Sequence, residues 1–205
     1  MKQQLITMLD LQERMNRKVH PEWITQKFAW HRALWVECGE LMDHYGYKWW
    51  KQQRPDHEHV KLEVVDIWHF GMSMCFDGHS STEQIATRLL EDLRDEPPRS
   101  LEFREAVESL AGDVLVRRKF SISRFWSLLE AAGMSLDELY TGYVGKNVLN
   151  FFRQDHGYKE GSYRKQWQGR EDNEHLAEIL QQLDRTTGNY EERLYAALAT
   201  RYAQL

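Results

Sequence analysis

The sequence has little that bends or staples a chain: of 205 residues only 4 are proline, 12 glycine and 2 cysteine. So few breakers, beside many Leu, Glu, Gln, Arg and Ala, favour helix over sheet. Cys38 and Cys75 fall inside apolar helical patterns, where free thiols pack as inert groups, and neither a disulfide nor a zinc site is expected. No run approaches the roughly 18 consecutive apolar residues of a membrane span. The start Met1-Lys2-Gln3-Gln4-Leu5 holds no signal-peptide apolar region before Asp10. A soluble, intracellular, cytoplasmic protein without a membrane partner is expected. The histidines His31, His44, His57, His59, His69 and His79 form no metal-ligand spacing such as H-E-x-x-H. Positive charge is also lacking, and a net charge of −5 argues against general nucleic-acid binding.

Apolar residues at helical spacing fill most of the chain. Leu5, Met8, Leu9, Leu11, Met15 and Val19 predict a first helix over about 2–18, stopped before Pro21. Further helices are expected over about 22–45, ending near Gly46, and over 58–76, with Tyr47 to His57 as the loop between them. Ser80 or Ser81 caps a fourth helix to about 94, Pro97-Pro98 breaks it, and Ser100 can cap a shorter one to about 111. Ser121 starts another that is interrupted at Gly133, and Ser135-Leu136-Asp137-Glu138 has capping-box spacing into a helix of roughly 136–155. Gly157, Gly161 and Gly169 mark an irregular, polar stretch able to close over a ligand. Helices resume over about 172–186 and 190–203, split by Thr186-Thr187-Gly188-Asn189. The expectation is one all-α domain over 1–205, a helical bundle with 77–120 as a peripheral helical insertion.

The chemistry lies in two acidic pairs, Glu37-Cys38-Gly39-Glu40 and Glu63-Val64-Val65-Asp66. Residues three apart on a helix share a face, with Cβ atoms about 5–6 Å apart. A lone pair of this kind is common on solvated helices. Here Glu37 sits among Leu34, Trp35, Val36, Leu41 and Met42, and Glu63 and Asp66 sit among Leu62, Val64, Val65, Ile67, Trp68 and Phe70. Buried carboxylates need partners or metal, and two such helices side by side would gather four of them around a hard cation such as Mg²⁺. Mg²⁺ held by carboxylates keeps positions for water and phosphate oxygens, which points to hydrolysis of a phosphate ester or anhydride.

A second pattern answers the first. Between Lys146 and Arg170, the cations Lys146, Arg153, Lys159, Arg164, Lys165 and Arg170 face only Asp155 and Glu160. A basic segment in an acidic protein suits an anionic partner such as a nucleotide's phosphates. Lys146, Asn150 and Arg153 recur at helical spacing, so one face presents all three; the bland alternative is a solvated basic face. Gln12 and Asn16 are likewise four apart and carry both donors and acceptors. Trp30, Trp35, Trp49, Trp50 and Trp68 crowd the acidic region, where one or two could stack on a base and the others fill the core.

Glu37-x-x-Glu40, the run Glu63-Val64-Val65-Asp66-Ile67-Trp68-His69-Phe70 and the long segment from Gly145-Lys146-Asn147 through Asn150, Arg153 and Tyr158-Lys159-Glu160-Gly161 closely resemble the dimeric dUTPases of the all-α NTP pyrophosphatase, MazG-like superfamily. Leu11-Gln12-Glu13-Arg14-Met15-Asn16 and Tyr47-Lys48-Trp49-Trp50 extend the resemblance. Residues 77 to about 120 and the tail after Asn173 carry no such motif.

The resemblance implies Mg²⁺ held by Glu37, Glu40, Glu63 and Asp66, with Glu40 also the base that activates the attacking water. It implies phosphate contacts from Lys146, Arg153 and Lys159, and base or sugar contacts from Gln12, Asn16, Trp49 (or Trp50), Asn150 and Tyr158. The reaction would be dUTP to dUMP and pyrophosphate, with dUDP also accepted, in a homodimer whose sites the partner chain helps complete. Its purpose would be to keep uracil out of DNA and supply dUMP. Rival readings are a dCTP or dual dCTP/dUTP pyrophosphatase, since amides can flip to suit either base, a pyrophosphatase of broad range, or a nucleotide-binding module without catalysis.

Overall fold

The computed structural model describes residues 1–183 and 189–204, and among them the chain is helical apart from one small hairpin. The helices are α1 (Lys2–Val19), α2 (Trp30–Tyr45), α3 (His57–Ser73), α4 (Thr82–Asp95), α5 (Phe103–Arg117), α6 (Ile122–Ala131), α7 (Leu136–Asp155), α8 (Asp172–Gln182) and α9 (Tyr190–Tyr202). Strands β1 (Gln166–Trp167) and β2 (Arg170–Glu171) pair antiparallel between α7 and α8, with Trp167 opposite Arg170. The all-α class expected from composition is the class observed. No helix among the described residues is long and apolar enough to cross a membrane.

The helix starts follow the capping chemistry of the sequence. The Asp56 carboxylate accepts from the His59 N–H to open α3, and Ser81-Gln84 and Ser135-Glu138 each close a capping box, at α4 and α7. Helices α2 and α3 make the broadest pairing, α1 lies against α7, α4 and α3, and α5 bridges α2 and α6. Residues 77–120 supply α4 and α5, whose Ile85, Leu89, Phe103, Val107 and Leu110 join the same core as Leu9, Leu34, Val64 and Trp68. The second half of α7 enters another apolar cluster with α8, α9 and Trp167. One helix of 20 residues thus joins both cores and carries Lys146, Asn150 and Arg153 between them.

Several boundaries differ from the sequence expectation. The second helix begins at Trp30 rather than near 22, because residues 20–27 fold as successive turns with Lys27 at φ 52°. Trp23, buried in those turns, packs edge-on against Trp30 and Phe76, and this aromatic anchoring replaces another helical turn. The third helix ends at Ser73, three residues early, and Phe76 turns in against Trp23. Glu102, not Ser100, caps α5, and the stripe Phe103, Val107, Leu110, Val114 carries that helix past 111 to Arg117, with Gly112 facing open space. The irregular stretch after Gly157 contains the β1–β2 hairpin, which buries Trp167 completely. Helix α8 ends at Gln182; the expected helix end near 186 and the turn Thr186-Thr187-Gly188 lie outside the described residues.

Both cysteines are free thiols whose pKa burial pushes up to about 12, as suits packing groups. Gly71 on α3 lies against the Phe120 ring so closely that a Cβ would collide with it. Gly71→Ala should therefore destabilise the protein by about 1–3 kcal/mol, read as a lower urea midpoint. An unchanged midpoint would mean that Phe120 yields freely.

Candidate active site

A cavity of about 670 Å³ opens between α1, α2, α3, α7 and the start of α8. The pairing of α2 with α3 sets its acidic corner: carboxylate oxygens of Glu37, Glu63 and Asp66 all lie within 4.8 Å of one another. Glu37 and Glu63 share a hydrogen bond, and burial, that bond and the negative fields of Asp66, Glu63 and Glu40 push the Glu37 pKa up to about 9. Burial likewise raises Glu63. The donor set is all hard oxygen, and its charges cannot all coexist without a counter-ion, so these residues fit a divalent cation. Glu40 lines the same cavity but is exposed and outside the three-carboxylate group. The expected four-carboxylate cluster is therefore three plus one at the rim. Beside it, His44 stacks on His59 with centroids 4.8 Å apart and brings Nε2 to 3.7 Å from Glu63.

The basic face of α7 lines the same cavity. Lys146, only 3% exposed, donates from Nζ to Asp66 at 2.7 Å and to Asn173 Oδ1 at 3.1 Å. Arg153 is also buried and makes a two-pronged pair with Asp172, Nε at 2.8 Å and Nη2 at 2.7 Å, while Nη1 donates to Asn150 Oδ1 at 3.2 Å. The alternative of a solvated basic face does not hold for these two. Tyr158 lines the cavity with its ring 5.8 Å from the Arg153 guanidinium. Lys159 does not reach the cavity: it is exposed and donates to the Val19 carbonyl.

The far end is neutral and tightly bonded. Gln12 and Asn16 are buried, not exposed amides. The Ser73 hydroxyl donates to the His69 carbonyl, so its oxygen must accept from both Gln12 Nε2 at 3.1 Å and Asn16 Nδ2 at 3.0 Å. Gln12 Nε2 donates again to Asn16 Oδ1. Gln12 Oε1 lies 2.8 Å from His69 Nδ1 and 2.9 Å from the Tyr143 hydroxyl, whose one hydrogen has the Met8 carbonyl as a second acceptor at 2.9 Å. Burial lowers the His69 pKa to about 3, so the ring is neutral, and Nε2 has no hydrogen-bond partner among the described residues, on a cavity-lining residue. Trp23, Phe28, Trp30 and Phe70 complete this end as an aromatic wall, Trp30 stacking on Phe70.

Trp49 is not part of that wall. It is 91% exposed on the α2–α3 loop, edge-on to Trp50, and neither lines the cavity. Sequence reasoning missed His69 as a site residue, the turn-borne aromatics, and Glu171, Asn173 and Glu174, which line the cavity from beyond the glycine-rich stretch; Lys165, one of the cations of the basic segment, lines it from within that stretch. The run Glu171-Asp172-Asn173-Glu174 reads simply as a polar helix start, and nothing in its spacing signals burial.

A protein-family model described as dUTPase matches residues 4–158, from α1 through the first turn after α7. No curated protein matches the chain. The matched residues include all four carboxylates, Gln12, Asn16, Lys146, Asn150 and Arg153; the hairpin and α8 lie beyond them.

The crowded carboxylates give a pH signature. In the cation-free fold Glu37 keeps its proton to about pH 9, whereas the unfolded chain releases it near 4.5. Between those values the folded state binds more protons than the unfolded, so this site's contribution to stability falls as pH rises. The melting temperature in EDTA should fall more steeply from about pH 6 to 8.5 than in Glu37→Gln, and a divalent cation should raise it more at the higher pH. Identical slopes in the two proteins would contradict the shared-proton arrangement.

Proposed function

This chain belongs to the all-α dUTPase family and is a dUTP diphosphatase, a nucleoside triphosphate pyrophosphohydrolase; on that premise we propose that it uses Mg²⁺ to convert dUTP to dUMP and pyrophosphate, and dUDP to dUMP and phosphate. The observation that carries the reading is one cavity walled by three carboxylates, a buried basic face and a neutral hydrogen-bonding end. Those three surfaces match a metal, a phosphate chain and a base.

Glu37, Glu63 and Asp66 would hold Mg²⁺, which when bound supplies Lewis-acid polarisation of water and phosphate oxygens. Glu40, which lines the cavity outside the cluster, would accept the proton of the attacking water. Lys146 offers an ammonium to the phosphates, and Arg153 offers directed N–H donors. Asn150 and Tyr158, which line the same cavity, would contact the sugar. Lys159, which ties the glycine-rich stretch to the end of α1, acts on closure of that stretch rather than as a standing phosphate ligand.

Uracil over cytosine is the preference this reading takes. With its proton on Nδ1 toward Gln12 Oε1, a neutral His69 would present Nε2 as an acceptor, which suits an edge that presents N–H, as uracil does at N3, where cytosine carries a lone pair. A homodimer completes the reading, for Trp35 and Val36 on α2 and Trp49 and Trp50 on the α2–α3 loop leave apolar surface exposed.

With Mg²⁺ and separate dUTP, dCTP, dTTP and UTP, chromatography should find monophosphate and pyrophosphate released fast from dUTP alone. Equal turnover of dCTP would overturn the uracil preference, and silence on every substrate would overturn the proposal. Glu40→Gln should cut turnover on the order of 10²–10⁴-fold while nucleotide binding is retained. Turnover within about threefold of the parent would remove Glu40 from the base role.

A further inference from the structure

Arg153 owes its orientation to a residue outside the matched family segment. Asp172 opens α8, is wholly buried, and accepts three hydrogen bonds: Arg153 Nε at 2.8 Å, Arg153 Nη2 at 2.7 Å and the Tyr163 hydroxyl at 2.8 Å. Its own backbone N–H donates to the Lys165 carbonyl at 2.9 Å, which fixes the carboxylate to the hairpin. Two parallel bonds from a planar fork to a carboxylate fix the guanidinium plane as well as its position.

Counting donors shows what that fixation leaves. Nε and one Nη2 hydrogen go to Asp172, the other Nη2 hydrogen points to Asn173 Oδ1 at 3.4 Å, and one Nη1 hydrogen goes to Asn150 Oδ1 at 3.2 Å. Of the five N–H groups of an arginine, one on Nη1 has no acceptor among the described residues. Asn150, Asn173 and Arg153 all line the cavity. The pair Arg153–Asp172 carries no net charge, so what Arg153 brings to a phosphate chain is a donor of set direction.

We infer that Asp172 is a positioning residue of this active site: it holds the Arg153 guanidinium so that its spare Nη1 N–H faces the phosphates, and Tyr163 braces it. This rests on the dUTP diphosphatase reading, which places phosphates in the cavity. Asp172 itself touches no substrate.

The test separates positioning from simple charge. Removing a negative charge near bound phosphates should by Coulomb's law tighten their binding; losing the orientation of Arg153 should weaken it. Calorimetry would follow an imido-linked, non-hydrolysable dUTP analogue and deoxyuridine. In Asp172→Asn the analogue should lose on the order of ten- to a hundredfold in affinity while deoxyuridine stays within about twofold. Added to Arg153→Ala, the same change should have no further effect on the analogue. Tyr163→Phe, which keeps the ion pair, should weaken the analogue in the same direction by less, and it supplies the readout if Asp172→Asn does not fold. Tighter or unchanged analogue binding, or equal loss of analogue and deoxyuridine, would overturn the inference. Failure of the intact protein to bind the analogue would instead overturn the functional reading on which it rests.

Discussion

Three carboxylates held within 4.8 Å of one another by the pairing of α2 and α3 set the terms for everything around them. Such charges cannot be left buried and ionised without compensation. Without a cation the site meets this constraint in two ways: a proton kept on Glu37, and the Lys146 ammonium seated 2.7 Å from Asp66. Both are replaceable by a cation or by movement toward a ligand. The corner is therefore an open electrostatic demand, unlike the closed Arg153–Asp172 pair a few residues away.

Around that corner the cavity divides into regions of different polarity. Helix α7 brings the basic groups because its two halves are anchored in two separate cores, so its middle turns have little freedom. The far end is built from neutral groups joined by hydrogen bonds, Ser73, Gln12, Asn16, Tyr143 and His69. Buried groups of this kind disfavour any ligand that leaves them unpaired.

Much of this was legible in the sequence, for identifiable reasons. The spacing of Glu37, Glu40, Glu63 and Asp66 and of Lys146, Asn150 and Arg153 states directly which side chains share a helix face, and apolar neighbours point to burial, which holds for Glu63, Lys146 and Arg153 but not for the exposed Glu40. Capping-box spacing at Ser135 marked the start of α7, and a serine cap at 80 or 81 marked that of α4, where the box proves to be at Ser81. What spacing does not carry is long-range pairing. Asp172 and Arg153 meet only because a two-residue hairpin buries Trp167 and turns the chain back, and strands that short leave no alternation to read. Likewise the turns at 20–27 follow from Trp23 packing on Phe76, more than fifty residues on, and the exposure of Trp49 follows from a loop whose path the sequence leaves open.

The claim that the carboxylate corner is a divalent-cation site is tested most directly by electron paramagnetic resonance of Mn²⁺, titrated into the intact protein and into a folded Glu63→Gln/Asp66→Asn variant. The account predicts protein-bound Mn²⁺ in the intact chain and its loss in the variant. Equal Mn²⁺ binding by both, or none by either with nucleotide present, would contradict it.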